Sequence, residues 1–281
     1  MIPLFYLKPI IMKKAAFNIA TLAFLLVFAA CKNEIKETVV SDLNTAMAIS
    51  ENEVVKTPDD LMKHGSTPET EVQYLYVTAS SGLSLRAYSN LQSDKLARMP
   101  YGTKVKVLTQ EPNATMTVGG IKGGMNEVEF NHKKGFAFNG FLSKYFPPER
   151  DISAKGYATE LNKIHPTVTY NEEIGGTASK PTLTETILLP EAQWHEAFSM
   201  AQRLFDFPRE FTFPNPKGKN AETIYDGKPK KGVWISQLEV TRTDNYLEKI
   251  AYVYGSQKFD ATVTIVEEDG IMKISKTEMV K

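Results

Sequence analysis

The stretch VTASSGLSLRAYSN, residues 77–90, decides how the folded part of this chain is read. Leu83 and Leu85 alternate with Ser84 and Arg86, so one pair faces a core and the other faces outward, as a half-buried strand requires. Runs of the same texture flank it: YLYVTA before, then TKVKVLT, NEVEF and GFAFNGFL. Gly82, Gly102, Gly119-Gly120, Gly123-Gly124, Gly135 and Gly140 punctuate these runs, and Pro147-Pro148 closes them. Short strands separated by turn residues predict a small all-β barrel or sandwich over residues 73–148. Gly102 is expected in a tight turn. Gly135 is expected to reverse the last hairpin behind a charged tip, His132-Lys133-Lys134. GGIKGG, residues 119–124, reads as a glycine-rich turn with no helix after it to cradle phosphate.

Three ordered blocks, VTASSGLSLRAYSN (77–90), LARMPYGTKVKVL (96–108) and NEVEFNHKKGFAFNGFLS (126–143), together resemble a bacterial SH3-like domain. That family carries a Ser-Gly-Leu-Asn-Leu-Arg strand, a Gly-Thr turn before a Val-x-Val strand, and a Gly-Trp-Val ending. Here Ser84 replaces the Asn, and Phe136-Ala137 replaces the Trp-Val pair. The resemblance implies a small SH3-like β-barrel that contacts peptidoglycan peptide or a protein partner. Tyr88, Tyr101, Phe138 and Tyr145 are the candidate ligand-binding aromatics, with core or rim packing as the other role open to them.

Residues 149–281 do not repeat this unit. SAKGYATELNKI predicts a short connecting helix ended by His165-Pro166, and TLTETILLP (182–190) alternates like a strand. In EAQWHEAFSMAQRLFDF, Trp194, Ala197, Phe198, Ala201, Leu204 and Phe205 recur at helical spacing, which predicts an amphipathic helix. Pro190 and Glu191 suit its first turn, and Pro208 ends it. WISQLEVTRT, LEKIAYVYG, FDATVTIVE and GIMKISKTE, joined by short linkers, predict an antiparallel meander under that helix. The fold class expected for the whole chain is therefore mainly β / α+β.

Catalytic signatures are sparse. His195-Glu196 begins like H-E-x-x-H, but position 199 is Ser, so the paired zinc ligand is missing and His195 is expected on the helix surface. His64, His132 and His165 have no metal-ligand spacing. No P-loop, dinucleotide fingerprint or G-x-S-x-G is present, so no catalytic residue, metal or cofactor is assigned. Lys217, Lys219, Lys228, Lys230 and Lys231 read as a solvated loop, or otherwise as a site for an anionic polymer.

Cys31 is the single cysteine, so no internal disulfide forms. It ends KKAAFNIATLAFLLVFAAC (13–31), whose lysines, apolar run and small residues have the form of a secretory signal. The Ala29-Ala30-Cys31 ending resembles a bacterial lipobox, which implies that Cys31 is acylated and becomes the mature N-terminus; the alternative is an ordinary signal peptide with an incidental cysteine. Met12 is a second candidate start. The segments expected are a lipoprotein signal peptide (1–30), a flexible tether (31–72), the barrel (73–148) and the α+β domain (149–281). About 40 flexible residues reach roughly 35 Å. Lys32 and the acidic residues after it are similar to surface-export signals of some bacterial lipoproteins.

Lys plus Arg and Asp plus Glu number 33 each, and residues 1–30 contain three lysines and no acid. A chain beginning at Cys31 is weakly acidic, which disfavours nucleic acid as a partner. Hydrophobic residues at 42% and charged residues at 23% are ordinary for a soluble globular protein and point to neither wholesale disorder nor a multi-span membrane protein. The resulting expectation is a secreted protein of the bacterial cell envelope, with a lipid membrane anchor at Cys31. It would lie at the outer membrane, on its periplasmic face or at the cell surface, as a binding or scaffolding module. The alternative is a cell-wall hydrolase or other carboxylate-based enzyme with its site in residues 149–281.

Overall fold

Alternation of apolar and polar residues is what builds the first sheet. β1 (Tyr74–Val77) turns Leu75 and Val77 inward, and β2 (Leu83–Arg86) does the same with Leu83 and Leu85. β3 (Lys95–Met99), β4 (Lys104–Thr109), β7 (Met125–Phe130), β8 (Lys133–Phe138) and β9 (Leu142–Ser143) complete seven strands in the order β3-β2-β8-β7-β4-β1-β9. Every pairing is antiparallel. Val77, Leu85, Met99, Val105, Val128 and Ala137 form its dry centre, where each fully buried aliphatic side chain contributes about 1.5–3 kcal/mol. The chain is seen in a computed structural model that describes residues 72–227 and 230–281. The signal, Cys31, the tether up to residue 71 and Lys228 of the basic cluster lie outside the described residues.

Two glycine readings are corrected. The β7–β8 hairpin reverses at Asn131-His132, which pair the flanking Phe130 with Lys133 and have φ of 48° and 60°. Two left-handed residues are the turn whose twist suits a tight hairpin, and Asn tolerates that region well. Gly135 sits inside β8 instead, where a Cβ would lie 2.6 Å from the Arg86 carbonyl oxygen. It permits β8 to close on β2. GGIKGG is likewise more than a turn. β5 (Met116–Val118) and β6 (Ile121–Gly123) form a separate two-stranded hairpin around Gly119-Gly120, both left-handed.

The second sheet holds β10 (Thr169–Thr177), β11 (Lys180–Pro190), β12 (Ala221–Tyr225), β13 (Val233–Thr243), β14 (Tyr246–Ser256), β15 (Phe259–Glu268) and β16 (Ile271–Val280). Its order is β10-β11-β16-β15-β14-β13-β12, again all antiparallel. The expected four-strand meander is its centre, and β11 joins by pairing with β16.

Two helices cover one face of this sheet, where one was expected. α1 (Ala154–Asn162) is more than a connector. Ala154, Tyr157, Ala158 and Leu161 recur at i, i+3, i+4 and i+7 and all are buried, while the Ser153 hydroxyl accepts from the Gly156 N–H as an N-cap. α2 (Trp194–Leu204) buries Ala197, Phe198 and Ala201 against the sheet, as its spacing predicts. It begins later than Pro190-Glu191. Gln193 is the N-cap and Glu196 closes the capping box, whereas Pro190 ends β11 and Glu191 is left-handed at φ 61°.

The sheets are joined along β9 and α2, and the described residues all belong to one compact unit. Tyr145 and Phe146, placed with the first domain by sequence, pack into the second core. The Tyr145 hydroxyl donates to the Pro190 carbonyl at 2.8 Å, and the Lys144 ammonium meets the Glu191 carboxylate at 2.5 Å. Phe213 touches both cores.

Candidate functional site

A cleft of about 960 Å³ opens where the β5–β6 hairpin faces the start of α2. Thr117, Gly120, Ile121 and Lys122 form one wall, and Gln193, Trp194 and His195 form the opposite one. Phe213 to Lys217 and the β13–β14 turn from Asp244 to Leu247 close the remaining sides, with Glu267 at the edge. Its size is at the upper end for small-molecule sites, and its place between two packed bodies is a common one for ligands.

Each wall is fixed by local chemistry. The β5–β6 hairpin leaves the first sheet through Gly123-Gly124. A Cβ on Gly123 would meet the Asn139 side chain at 2.6 Å and the Gly140 nitrogen at 2.9 Å. The Asn139 side-chain oxygen accepts from the Gly124 N–H at 2.8 Å, and its amide donates to Asn126 at 3.0 Å and to the Glu111 carbonyl at 3.2 Å. Half-buried Asn139 and buried Asn126 together lock the base of the hairpin. Opposite, the Trp194 indole N–H donates to Glu267 at 3.1 Å, which sets the orientation of the ring. Asp244-Asn245, at φ 52° and 65°, make the tight turn that presents Tyr246, 76% exposed.

The fourth wall hangs on a buried arginine. Arg242 follows Leu238 and Val240 on the core face of β13 and is 1% exposed. Its guanidinium donates from Nε and Nη2 to the Asn215 carbonyl at 3.0 and 2.8 Å, and from Nη1 to the Lys219 carbonyl at 2.9 Å. Nη2 also meets the Glu222 carboxylate of β12 at 2.9 Å. A planar fork of donors is what allows one side chain to hold a loop at several points. The segment read from sequence as a solvated basic loop is therefore pinned at Asn215 and Lys219. Lys217 in the same loop is exposed at the cleft.

His195 is also corrected. It does not point freely from the helix surface: its ring bonds the backbone of Gly140 and packs edge-on near Phe213 at 6.1 Å. Burial lowers its pKa to about 4, partly offset by the Gly140 bond, so the ring is neutral at neutral pH. The next residue, Glu196, reaches the Ser143 side chain of β9 and accepts from the Gln193 N–H at 2.6 Å. Burial raises its pKa, against the lowering influence of those hydrogen bonds and of Lys144. The first turn of α2 thus clamps the first sheet while forming a cleft wall.

The four candidate aromatics are dispersed. Tyr88 stands 68% exposed in the turn after β2. Phe138 is buried in the first core. Tyr145 is buried in the second, with its pKa pushed up to about 12 by desolvation and then by Glu196 and Glu191. Tyr101 donates to the Pro148 carbonyl at 3.2 Å and lies under the Arg203 guanidinium at 4.5 Å, so its ring contacts the α2 side. The structure does not assemble them into one patch. A smaller hollow of about 280 Å³, lined by Ser80 to Ser84, Arg86 and Leu91, includes only Phe138 of the four.

Sequence reading missed Trp194 and Tyr246 as site residues, the former because it was assigned to the helix core. Among the described residues, no group of three or more His, Cys, Asp or Glu side chains is placed to hold a metal ion. Among the same residues no helix is long and apolar enough to cross a membrane. No protein family, curated protein or solved structure matches this chain.

Proposed function

We propose that this chain is an envelope-anchored bacterial lipoprotein acting as a binding or scaffolding module. In this reading Cys31 carries the lipid, residues 32–72 span the distance from the membrane, and the first sheet is an SH3-like domain engaging peptidoglycan or an envelope protein. The observation that carries the binding role is the cleft shared by the β5–β6 hairpin and the start of α2, since both bodies must be present to form it. Its walls are held by the hydrogen bonds of half-buried Asn139 and buried Arg242, so the site is preorganised and loses little freedom on binding. Co-sedimentation of a Cys31→Ser chain with purified sacculi tests the reading: retention is expected, and a chain left wholly in the supernatant removes the peptidoglycan version.

A second reading, a carboxylate-based wall hydrolase, draws on one feature. Asp244 of the β13–β14 turn and Glu267 of β15 line the same cleft. Clearing on a cell-wall zymogram that disappears in Asp244→Asn and Glu267→Gln would favour it, and no clearing sets it aside.

A further inference from the structure

We propose that the cleft between the β5–β6 hairpin and α2 is a binding site for an uncharged glycan, with sugar rings lying on Trp194 and Tyr246. The inference rests on the reading of this cleft as the binding site and adds the ligand's chemical class. Charge is the first argument. The cleft presents Lys122 and Lys217 against Asp244 and Glu267, and His195 is neutral, so no single sign dominates. A phosphate-rich or polyanionic ligand draws its affinity from a concentrated positive field, which is missing here.

Surface chemistry is the second argument. A lipid tail needs a continuous apolar lining, but the apolar residues here are interrupted by Lys122 on the hairpin, Lys217 on the loop and Asp244-Asn245 on the turn. A sugar ring matches that alternation: its C–H faces pack on flat aromatic rings, and its equatorial hydroxyls both donate and accept. Trp194 is held by its bond to Glu267, so that platform is set before a ligand arrives, while the two-residue Asp244-Asn245 turn places Tyr246 at the cleft. Tyr246 at 76% exposure has no other packing role, which distinguishes it from the core tyrosines. Lys122, Asn245 and Asp244 supply the mixed donors and acceptors that a neutral polyhydroxylated chain requires.

The test uses the full chain in mild detergent, titrated with a soluble N-acetylglucosamine oligomer and followed by tryptophan fluorescence and calorimetry. Saturable binding is expected. Tyr246→Ala, a solvent-exposed change that spares the core, should weaken it by about tenfold or more, whereas Tyr225→Ala, at the equally exposed end of β12 and outside the cleft, leaves it unchanged. Affinity should change by less than about twofold between roughly 0.05 and 0.5 M salt. Absence of saturable binding, equal affinity in Tyr246→Ala, or displacement by a peptidoglycan stem peptide that binds more tightly would overturn the glycan assignment. Sacculus retention separates the two levels. Retained chain with no oligomer binding overturns the ligand class but leaves a wall-binding protein, while oligomer binding without retention supports the glycan site and removes the wall-binding reading.

Discussion

Arg242 grips the carbonyl oxygen of Asn215 with two nitrogens, at 3.0 and 2.8 Å, from a position with almost no contact with solvent. A fully buried cation on a strand is stable only because its donors are met, here by two carbonyls and the Glu222 carboxylate. Replacing it with Met keeps much of the volume but strands those acceptors, and is expected to destabilise the fold by about 2–4 kcal/mol. Arg242→Lys should recover little, since a single ammonium cannot reproduce the fork. Urea denaturation of the three proteins measures this. A Lys variant as stable as the native chain would show that charge alone is sufficient.

His195 makes stability depend on pH in a definite direction. Its folded pKa of about 4 lies below the ordinary 6.5, so between those values the unfolded chain binds a proton that the folded one does not. Stability therefore falls as pH drops from about 6.5 towards 4, by at most about 3 kcal/mol and by less where solvent reaches the ring. The raised pKa of Glu196 acts in the opposite sense, favouring the folded state as the carboxyl takes up its proton. Comparing His195→Gln with the native chain at each pH isolates the histidine: the slope across this window should be shallower in the variant. Identical slopes would contradict the assignment.

Gly135 and Gly102 should differ in how they tolerate alanine. At Gly135 the added methyl meets the Arg86 carbonyl oxygen at 2.6 Å and the Leu85 side chain at 3.0 Å, so β8 must retreat from β2, with a cost of about 1–3 kcal/mol. At Gly102, φ is +80° but nothing lies within 4 Å of the new methyl, leaving a backbone cost of about 1 kcal/mol. Thermal melts of the two variants should rank Gly135→Ala as the less stable.

Phe213 is the side chain that packs against both hydrophobic cores and lines the cleft. Phe213→Ala should cost about 2–3 kcal/mol and loosen the coupling of the two bodies, so that denaturation followed by tryptophan fluorescence separates from that followed by backbone circular dichroism. Both tryptophans, Trp194 and Trp234, lie in the second body. Coincident transitions in the variant would show that the β9–α2 contacts are sufficient by themselves.

What could be read from sequence was what local periodicity carries. The α2 face and the β13–β16 meander follow from spacing alone, because each residue's burial is decided within one element. β10 was missed since nearly all of Thr169–Thr177 is exposed at a sheet edge, leaving no alternation to read. His195 was placed on the surface because its partner, Gly140, is far away in sequence, in the short 3-10 turn between β8 and β9. Arg242 stands in register with Leu238 and Val240, so alternation puts it inward while its charge argues outward; only the loop carbonyls it meets resolve the conflict. The cleft was illegible for a related reason. Four segments far apart in the chain, with Glu267 from a fifth, contribute its residues, and none carries a motif.

The central claim is that one site, made by both bodies together, binds the ligand. Hydrogen exchange of the full chain with and without solubilised peptidoglycan fragments tests it most directly. Added protection is predicted in peptides covering 119–122, 193–195, 213–217 and 244–247 at the same ligand concentration. Protection confined to 79–91 of the first sheet, or no change anywhere, would contradict it.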